Sequence, residues 1–231
     1  ATFSGLGAFG LVSNTNVLTY TSGALTSATQ SFSLTHGPAH QLVVTTQAAG
    51  ATNGSAFTTQ PIVEIRDQDN NLVSTGAQSS QDIAVTSSSE TLAGGTIQAA
   101  SGGIATFAGV KLTGTVGTIT LTYTMTVPST KTQTQTIALI AGAPTQLIVQ
   151  TAAAGCQSRL DCSTQPIIRI ADASGNATTS TATVTATVAS GVATITAGST
   201  AAATAGVATF SGFRLQGVAG SNDILFSITS P

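Results

Sequence analysis

Apolar residues recur at every second position in short segments along most of the chain. The clearest segment is 118–125, TITLTYTM, in which Ile119, Leu121, Tyr123 and Met125 alternate with threonines. A period of two places the apolar side chains on one face of a β-strand and the threonines on the other face.

Six further segments share this spacing and are rich in Thr, Val and Ile, with Gly, Asn and Ser between them: 41–46, 61–67, 82–87, 95–99, 103–109 and 134–140. Such spacing and composition are typical of short strands joined by turns. No segment has the periodicity of an amphipathic helix of useful length. The pattern therefore predicts an all-β protein.

The strand pattern repeats along the chain with an offset of about 105 residues. Residues 58–71, TTQPIVEIRDQDNN, recur at 163–176 as STQPIIRIADASGN. Residues 103–126 recur at 206–229 and a third time at 1–23. Self-similarity at a fixed period indicates a tandem array of structural units.

The repetition divides the chain into three parts. Residues 1–36 are the C-terminal part of one repeat, residues 37–140 are a complete repeat, and residues 141–231 are a repeat that lacks its last strand. Seven predicted strands in about 105 residues are typical of an immunoglobulin-like β-sandwich, so we predict a tandem array of such sandwiches. Because both ends fall inside a repeat and the first residue is not Met, we expect a processed product or a piece of a longer protein.

Two motifs carry a resemblance to a known family. Residues 60–71 and 165–176 begin with Gln-Pro, continue with alternating Ile or Val, and end in an Asp-containing turn, and a later Gly-(Ile/Val)-Ala-Thr-Phe-x-Gly motif follows each of them. This combination resembles the bacterial Ig-like repeats of invasin- and intimin-type surface proteins. The resemblance implies an extracellular, stalk-like setting in which most repeats are spacers. That family's lectin-like tip domain has no counterpart in this sequence, so no adhesive activity is implied.

The composition adds a surface that is polar but almost uncharged. Charged residues make up 6% of the chain, against about 25% in a typical soluble domain. Copies of the chain therefore repel each other weakly, which favours close lateral contact. The net charge is −2 and the basic residues are scattered singly, so nucleic acid is excluded as a partner. No apolar run is long enough to predict a membrane span.

Two cysteines lie six residues apart in one predicted loop. Cys156 and Cys162 flank QSRLD, and the corresponding loop of the preceding repeat has Ala51 and Phe57 instead. Free thiols or a metal site are the alternatives, but a metal site needs four ligands and neither His is near in sequence. We therefore predict a disulfide, which implies an oxidising, extracytoplasmic setting.

The densest cluster of oxygen-bearing side chains is a weak candidate for Ca²⁺ binding. Asp67, Asp69 and Asn71 would be its ligands, but the spacing of Gly and Glu in an EF-hand loop is not present. The alternative is a hairpin turn in which Asp and Asn side chains cap their own backbone. The turn is favoured, so no metal site is predicted.

Two tripeptides are candidates for N-glycosylation. Asn53 and Asn176 each begin an Asn-x-Ser/Thr sequence within a predicted loop. Whether either residue carries a sugar depends on the host, and the many Ser and Thr residues are further candidates for O-linked sugars.

No motif of an enzyme active site occurs in the sequence. His36 and His40 lack a matching Asp or Ser constellation, and no phosphate-binding loop, nucleophile elbow or zinc-protease motif is present. We therefore predict a protein that is not an enzyme and needs no cofactor.

The predicted function is structural. We expect an extracellular repeat protein that forms or extends a cell-surface filament, sheath or layer, with copies of itself as partners through strand edges and low-charge surfaces. One alternative is the stalk of an adhesin that presents a separate binding domain. Another is a carbohydrate- or ice-binding module, which the alternating threonines of residues 180–196 would provide.

Overall fold

The computed structural model describes residues 1–229 and is an all-β structure, which confirms the prediction that the protein is all-β. Within these residues there are twenty β-strands, one 3-10 turn at Ala77–Ser80 and no α-helix. None of the described segments forms a helix that is long and apolar enough to cross a membrane.

In chain order the strands are β1 (Ser13–Tyr20), β2 (Ala28–Leu34), β3 (Gln41–Thr46), β4 (Ala51–Thr52), β5 (Ile62–Arg66), β6 (Asp82–Ser87), β7 (Thr91–Ala93), β8 (Ile97–Ala99), β9 (Ile104–Thr106), β10 (Lys111–Thr113), β11 (Gly117–Met125), β12 (Lys131–Ile140), β13 (Gln146–Thr151), β14 (Ile167–Ala171), β15 (Thr183–Ser190), β16 (Thr194–Ala197), β17 (Thr200–Thr204), β18 (Val207–Thr209), β19 (Arg214–Gln216) and β20 (Asp223–Ser227).

The chain forms two compact units that interleave in sequence. Unit 1 consists of Ala1–Ala51, Ala56–Lys111 and Thr118–Ile137, and unit 2 consists of Thr52–Ser55, Leu112–Gly117 and the chain from Ala138 onward. Each unit therefore contains residues from two of the predicted repeats. The repeat boundaries after residues 36 and 140 stay a prediction from the sequence.

Unit 1 contains antiparallel sheets with a shared apolar core. A three-stranded sheet has the order β3-β5-β9, and among the described strands β1 pairs with β2 alone. A larger sheet has the order β4-β12-β11-β6-β8, and all of its residues belong to unit 1 except Thr52 of β4 and Ala138–Ile140 of β12. The alternation predicted for β11 is present, because Ile119, Leu121, Tyr123 and Met125 are all buried. The threonines between them lie on the opposite face, where a polar β-branched side chain suits the pleat.

An aromatic pair and a buried amide mark the centre of this core. The ring of Phe107, just after β9, packs edge-on against that of Tyr123 at 5.7 Å between centroids. The Tyr123 hydroxyl donates to Gln135 Oε1 at 3.1 Å, and Gln135 Nε2 donates to the Ala48 carbonyl at 2.6 Å. Burial raises the pKa of the Tyr123 hydroxyl. Each buried polar atom thus has a partner, as a packed core requires.

Unit 2 contains a six-stranded sheet in the order β13-β14-β18-β17-β15-β20, and β16 pairs with β19. Its core is built from Ile168 and Ile170 on β14, Val184 on β15, and the rings of Phe210 and Phe213. Those two rings pack edge-on at 6.2 Å. β20 is the last strand at one end of this sheet.

Candidate functional site

Two turns of the same design lie 105 positions apart, one in each unit. The first turn, Asp67–Asn71, follows β5, and the second, Asp172–Asn176, follows β14. In both, the Asp N–H donates to the Asn carbonyl, at 2.9 Å in the first turn and 3.0 Å in the second. In both, the Asn N–H donates back to the Asp carboxylate. The chain reverses through a left-handed residue, Asn70 with φ 69° or Gly175 with φ 83°, which these residue types tolerate.

The two carboxylates of these turns are buried. Asp67 is 3% exposed and Asp172 is 1% exposed. Each also accepts a backbone N–H from a glycine thirty residues earlier, from Gly37 at 2.7 Å and from Gly142 at 2.9 Å. A Cβ atom on Gly142 would lie only 2.8 Å from the Asn53 carbonyl oxygen, so the close approach in unit 2 requires glycine.

The asparagine of each turn binds the backbone of a distant loop. In unit 1, Asn71 Nδ2 donates to the Gly10 carbonyl at 3.0 Å, and the Val12 N–H donates to Asn71 Oδ1 at 2.7 Å. The side-chain amide thus pairs with the main chain as a neighbouring strand would, donating one hydrogen bond and accepting another.

Unit 2 has the same arrangement around Asn176. Its Nδ2 donates to the Gly114 carbonyl at 2.8 Å, and the Val116 N–H donates to its Oδ1 at 3.1 Å. We call these two clusters the first junction (Asp67, Asn71, Gly37 and the loop 10–12) and the second junction (Asp172, Asn176, Gly142 and the loop 114–116). Each junction joins segments that the sequence assigns to successive predicted repeats.

The junctions differ in the side chain that accepts the glycine N–H of the bound loop. In the second junction, Gly114 N–H donates to Asn53 Oδ1 at 2.9 Å, and Asn53 Nδ2 donates to Asp172 Oδ2 at 2.8 Å. In the first junction, Gly10 N–H donates at 3.3 Å to the exposed carboxylate of Asp69. The counterpart of Asp69 in the second turn is Ser174.

Both buried carboxylates are held in the charged state by hydrogen bonds. Burial by itself raises the pKa of Asp172, but donation from Asn176, Gly142 and Asn53 outweighs it and lowers this pKa well below the usual range. The pKa of Asp67 is lowered for the same reasons, by donors that include Asn71 and Gly37. The ion pairs found among residues 1–229 involve neither carboxylate, so amide dipoles stabilise the two charges.

The weak Ca²⁺ candidate coincides with the first junction. Both oxygens of Asp67 and the side-chain oxygen of Asn71 accept N–H groups, and Asp69 accepts from Gly10. The atoms that would ligate a cation therefore hold the backbone together in this arrangement. Across the described residues there is no group of three or more His, Cys, Asp or Glu that could hold a metal ion.

The two sequon asparagines lie outside strands: Asn176 belongs to the second junction, and Asn53 is hydrogen-bonded to its Asp172 and Gly114. Asn53 is 9% exposed and Asn176 is 7% exposed. The Nδ2 atom to which a sugar would be attached donates a hydrogen bond in both residues. In the folded chain both side chains are therefore largely buried and both nitrogens are hydrogen-bonded to the protein.

Cys156 and Cys162 form the predicted disulfide, with their Cα atoms 4.0 Å apart. Cys162 is buried, and its N–H donates to the Phe213 carbonyl at 2.9 Å. Next to it, the Arg214 guanidinium pairs with the Asp161 carboxylate at 2.8 Å on the surface. The disulfide closes a short loop over the edge of the unit 2 core.

The two histidines are not brought together with catalytic partners. His36 Nδ1 lies 2.9 Å from the Gly37 carbonyl oxygen and its Nε2 lies 2.8 Å from Thr75 Oγ1. These contacts tie the segment before β3 to the loop after the first turn. His40 is exposed, and its backbone N–H donates to the Arg66 carbonyl at 2.8 Å.

No protein-family model and no curated protein matches the chain. Among solved structures, the chain is similar to a Parabacteroides merdae β-glucuronidase determined with glycerol in its active site, at 11% identity and a TM-score of 0.21. The similarity covers 83% of this chain and 24% of that one, so the chain spans about a quarter of that enzyme's length. A TM-score this low carries no argument about fold or activity.

Proposed function

We propose that this chain is an extracellular structural protein, built from tandem immunoglobulin-like β-sandwich repeats of about 105 residues, that forms or extends a cell-surface filament, sheath or layer. Copies of the same chain are its partners. The observation that carries the proposal is the recurrence of one buried Asp-Asn junction at both places where predicted repeats succeed each other.

The construction of the junctions supports a mechanical role. Each uses buried, charge-assisted hydrogen bonds, which are roughly twice as strong as neutral ones. Their acceptors and donors are mainly backbone groups, such as the Gly10 and Gly114 carbonyls, so the link fixes the path of the main chain. A connection that only had to tether two modules would need no buried network, because a flexible polar linker suffices for that.

Two further features agree with an extracellular assembly. The Cys156–Cys162 disulfide belongs to an oxidising environment. With 6% charged residues, the surface offers little electrostatic resistance to lateral packing of copies.

Immunogold electron microscopy of the native cell surface, with antibodies raised against residues 1–231, tests the proposal. Gold along regular filaments or layers at a constant spacing is the expected result. Gold confined to thin connectors below a distinct head would replace this function with that of an adhesin stalk. Gold that marks no surface structure would refute both functions.

A further inference from the structure

The loop closed by the disulfide presents two large side chains on the surface of unit 2. Arg159 is exposed, and Leu160, the next residue, is 57% exposed. The preceding predicted repeat has Gly54 and Ser55 at these two positions. A charged and an apolar side chain therefore stand where the other repeat has a glycine and a serine.

Arg159 occupies a backbone conformation that suits glycine. Its φ is 72°, and that of Gly54 is 79°. The N–H of each residue makes the same hydrogen bond of 2.8 Å, to the carbonyl of Leu215 or of Leu112. A residue with a side chain is disfavoured in this left-handed region, and residues held there are most frequent at functional sites. The arginine is thus unfavourable for the fold, which points to a role for its side chain.

The exposure of the two side chains does not depend on what packs beside the loop. Gly54 and Ser55 are exposed although Asn53, directly before them, is buried and hydrogen-bonded to Asp172. This part of the loop therefore stays accessible when a further segment of chain is bound next to it. The same holds for the positions of Arg159 and Leu160.

The charge of Arg159 is unpaired. All six basic residues lie in the described part of the chain, and Arg159 is the only one of them that is exposed. Among residues 1–229 its guanidinium has no hydrogen-bond or ion-pair partner, whereas the nearby Arg214 pairs with Asp161. Because a guanidinium binds a carboxylate through two parallel hydrogen bonds, this loop fits a protein surface that offers a carboxylate beside an apolar patch.

Unit 1 carries such a surface on β6 and β8. Asp82 of β6 lies opposite Ala99 of β8, and two positions further Ala84 lies opposite Ile97. Opposite residues of antiparallel strands point to the same face, and diagonal neighbours such as Asp82 and Ile97 lie about 7–8 Å apart. Asp82 is exposed and Ile97 is 65% exposed. We call these four residues the Asp82 patch.

The carboxylate of Asp82 is unpaired as well. Among residues 1–229 it makes no hydrogen bond or ion pair. The other exposed carboxylates of the described chain each have a partner: Asp69 with Gly10, Asp161 with Arg214 and Asp223 with Ser190. The described surface thus has one free guanidinium and one free exposed carboxylate, and each lies beside an exposed apolar side chain.

The Asp82 patch has no charged or large apolar counterpart in unit 2. On β15 and β17, Thr183 and Thr200 take the places of Asp82 and Ile97 in the pairing of the two strands. The loop therefore differs from its counterpart in one predicted repeat, and the patch differs in the other. The two differences are complementary in charge, and each adds an apolar side chain.

We propose that Arg159 and Leu160 of one copy of this chain dock onto the Asp82 patch of a second copy, with the guanidinium on the carboxylate and the leucine against Ile97. This inference deepens the proposed function and rests on it, because it names a contact through which copies associate. The two surfaces differ, so the contact is head-to-tail. A head-to-tail contact that does not close into a ring generates an open filament.

A charge swap tests the proposal, with self-association of the full chain measured by sedimentation velocity over a concentration series at low ionic strength. Arg159→Asp and Asp82→Arg each place like charges at the contact, and Asp tolerates a left-handed backbone. We expect each variant to associate at least about tenfold more weakly than wild type. An equimolar mixture of the two should recover the association, because each loop then finds an opposite charge on the patch of the other variant.

Three further variants serve as controls. Lys111→Asp changes the net charge by the same amount as Arg159→Asp at a position outside the contact, and it should leave association unchanged. Leu160→Ser and Ile97→Thr introduce the residues of the other repeat without changing the charge, and each should weaken association about fivefold. The substituted residues lie outside the buried core, and circular dichroism checks that each variant is folded.

Three results would overturn the inference: a wild-type chain that stays monomeric, a Lys111→Asp variant that loses as much association as Arg159→Asp, or an equimolar mixture that associates no more strongly than either variant. If the charge swap fails while immunogold marks filaments, the loop contact is wrong and the structural function stands. If the charge swap restores association but no surface structure is labelled, the proposed function fails by itself.

Discussion

The two junctions have the same Asp, Asn and Gly partners but close around their bound loops in different ways. The second junction adds a buried amide, Asn53, between the Asp172 carboxylate and the Gly114 N–H. The first junction uses an exposed carboxylate, Asp69, at a longer distance. The Asp, Asn and Gly residues are common to both junctions because they hold the same path of the main chain. The side chain that accepts the glycine N–H of the bound loop differs between the junctions. The second junction should therefore be stronger and less dependent on solvent conditions.

Removing the junction asparagine should have the largest effect. Asn176→Ala deletes one side-chain donor to Asp172 and leaves the Gly114 carbonyl and the Val116 N–H without the Asn176 side chain as their partner. We expect a loss of about 3–4 kcal/mol in the free energy of unfolding, since hydrogen bonds to charged groups contribute about 1.5–3 kcal/mol each. Urea unfolding followed by far-UV circular dichroism measures it.

Asn71→Ala is the matched variant for the first junction, and Gln68→Ala, on the exposed part of the same turn, is the control. We expect Asn71→Ala to lower the free energy of unfolding by less than Asn176→Ala does. Gln68→Ala should lower it by under about 0.5 kcal/mol. Equal costs for all three variants would contradict a structural role for the junctions.

The pH dependence of stability should come next in size. A carboxyl group whose folded-state pKa lies below its unfolded value, near 4, stabilises the fold above that value. The contribution is lost as the pH falls through 4 towards the folded-state pKa. Because the pKa of Asp172 is lowered, stability should fall by about 2 kcal/mol from this group alone as the pH is lowered from 5 to 2.

Asp172→Asn should remove the contribution of this carboxylate to the slope of the unfolding free energy against pH. Asp67→Asn should remove the corresponding contribution of the first junction. Unfolding free energies measured between pH 2 and pH 7 give the slopes. A variant with the wild-type slope below pH 5 would show that the carboxylate in question is not held in its charged state by the junction.

The added amide should have an intermediate effect. Asn53→Ala leaves the Gly114 N–H without its acceptor, and we expect a loss of about 1–2 kcal/mol in the free energy of unfolding. Ser174→Asp, added to Asn53→Ala, supplies the acceptor that Asp69 provides in the first junction. The double variant should recover part of the loss in a denaturation experiment, and no recovery would contradict the equivalence of the two positions.

The smallest effect should belong to Asp69. Its side chain is exposed and its bond to Gly10 is 3.3 Å long, so Asp69→Ala should cost under about 1 kcal/mol, in the range of other surface charge interactions. Repeating the measurement at 1 M NaCl should abolish the difference from wild type. A larger loss in the free energy of unfolding that does not change with salt would mean that the Asp69 carboxylate is buried in the folded protein in solution.

Much of the strand content could be predicted because burial on one face leaves a period of two in the sequence. β11 and β5 are found within one residue of their predicted ends at 118–125 and 61–67. Strands such as β4, with two residues, and β7, with three, are too short to show any period. They form because a strand that is distant in sequence lies beside them, β12 beside β4 and β10 beside β7. This pairing depends on the tertiary structure and leaves no local pattern in the sequence.

The hydrogen-bonding residues of the junctions could be predicted from the sequence only in part. Asp67 and Asn71 stand out as oxygen-rich residues, and their spacing recurs at Asp172 and Asn176. Their burial does not follow from the sequence, because it depends on loops about sixty residues away. The sequence feature that could have indicated this burial is the glycine thirty residues before each aspartate, Gly37 or Gly142. In the structure the backbone of each glycine approaches the aspartate closely and donates its N–H to the carboxylate.

Asn53 has a further consequence for how the protein ages. It is followed by Gly54, and Asn-Gly is the dipeptide that most readily loses its side-chain amide, because an unhindered glycine nitrogen attacks the asparagine side chain. In the closed junction the Gly54 N–H donates to the Leu112 carbonyl at 2.8 Å, and the amide is held by Asp172 and Gly114. Deamidation therefore requires opening. The carboxylate that deamidation creates would face the Asp172 carboxylate, and like charges at that distance repel, so a molecule that deamidates while open would close this junction less stably afterwards.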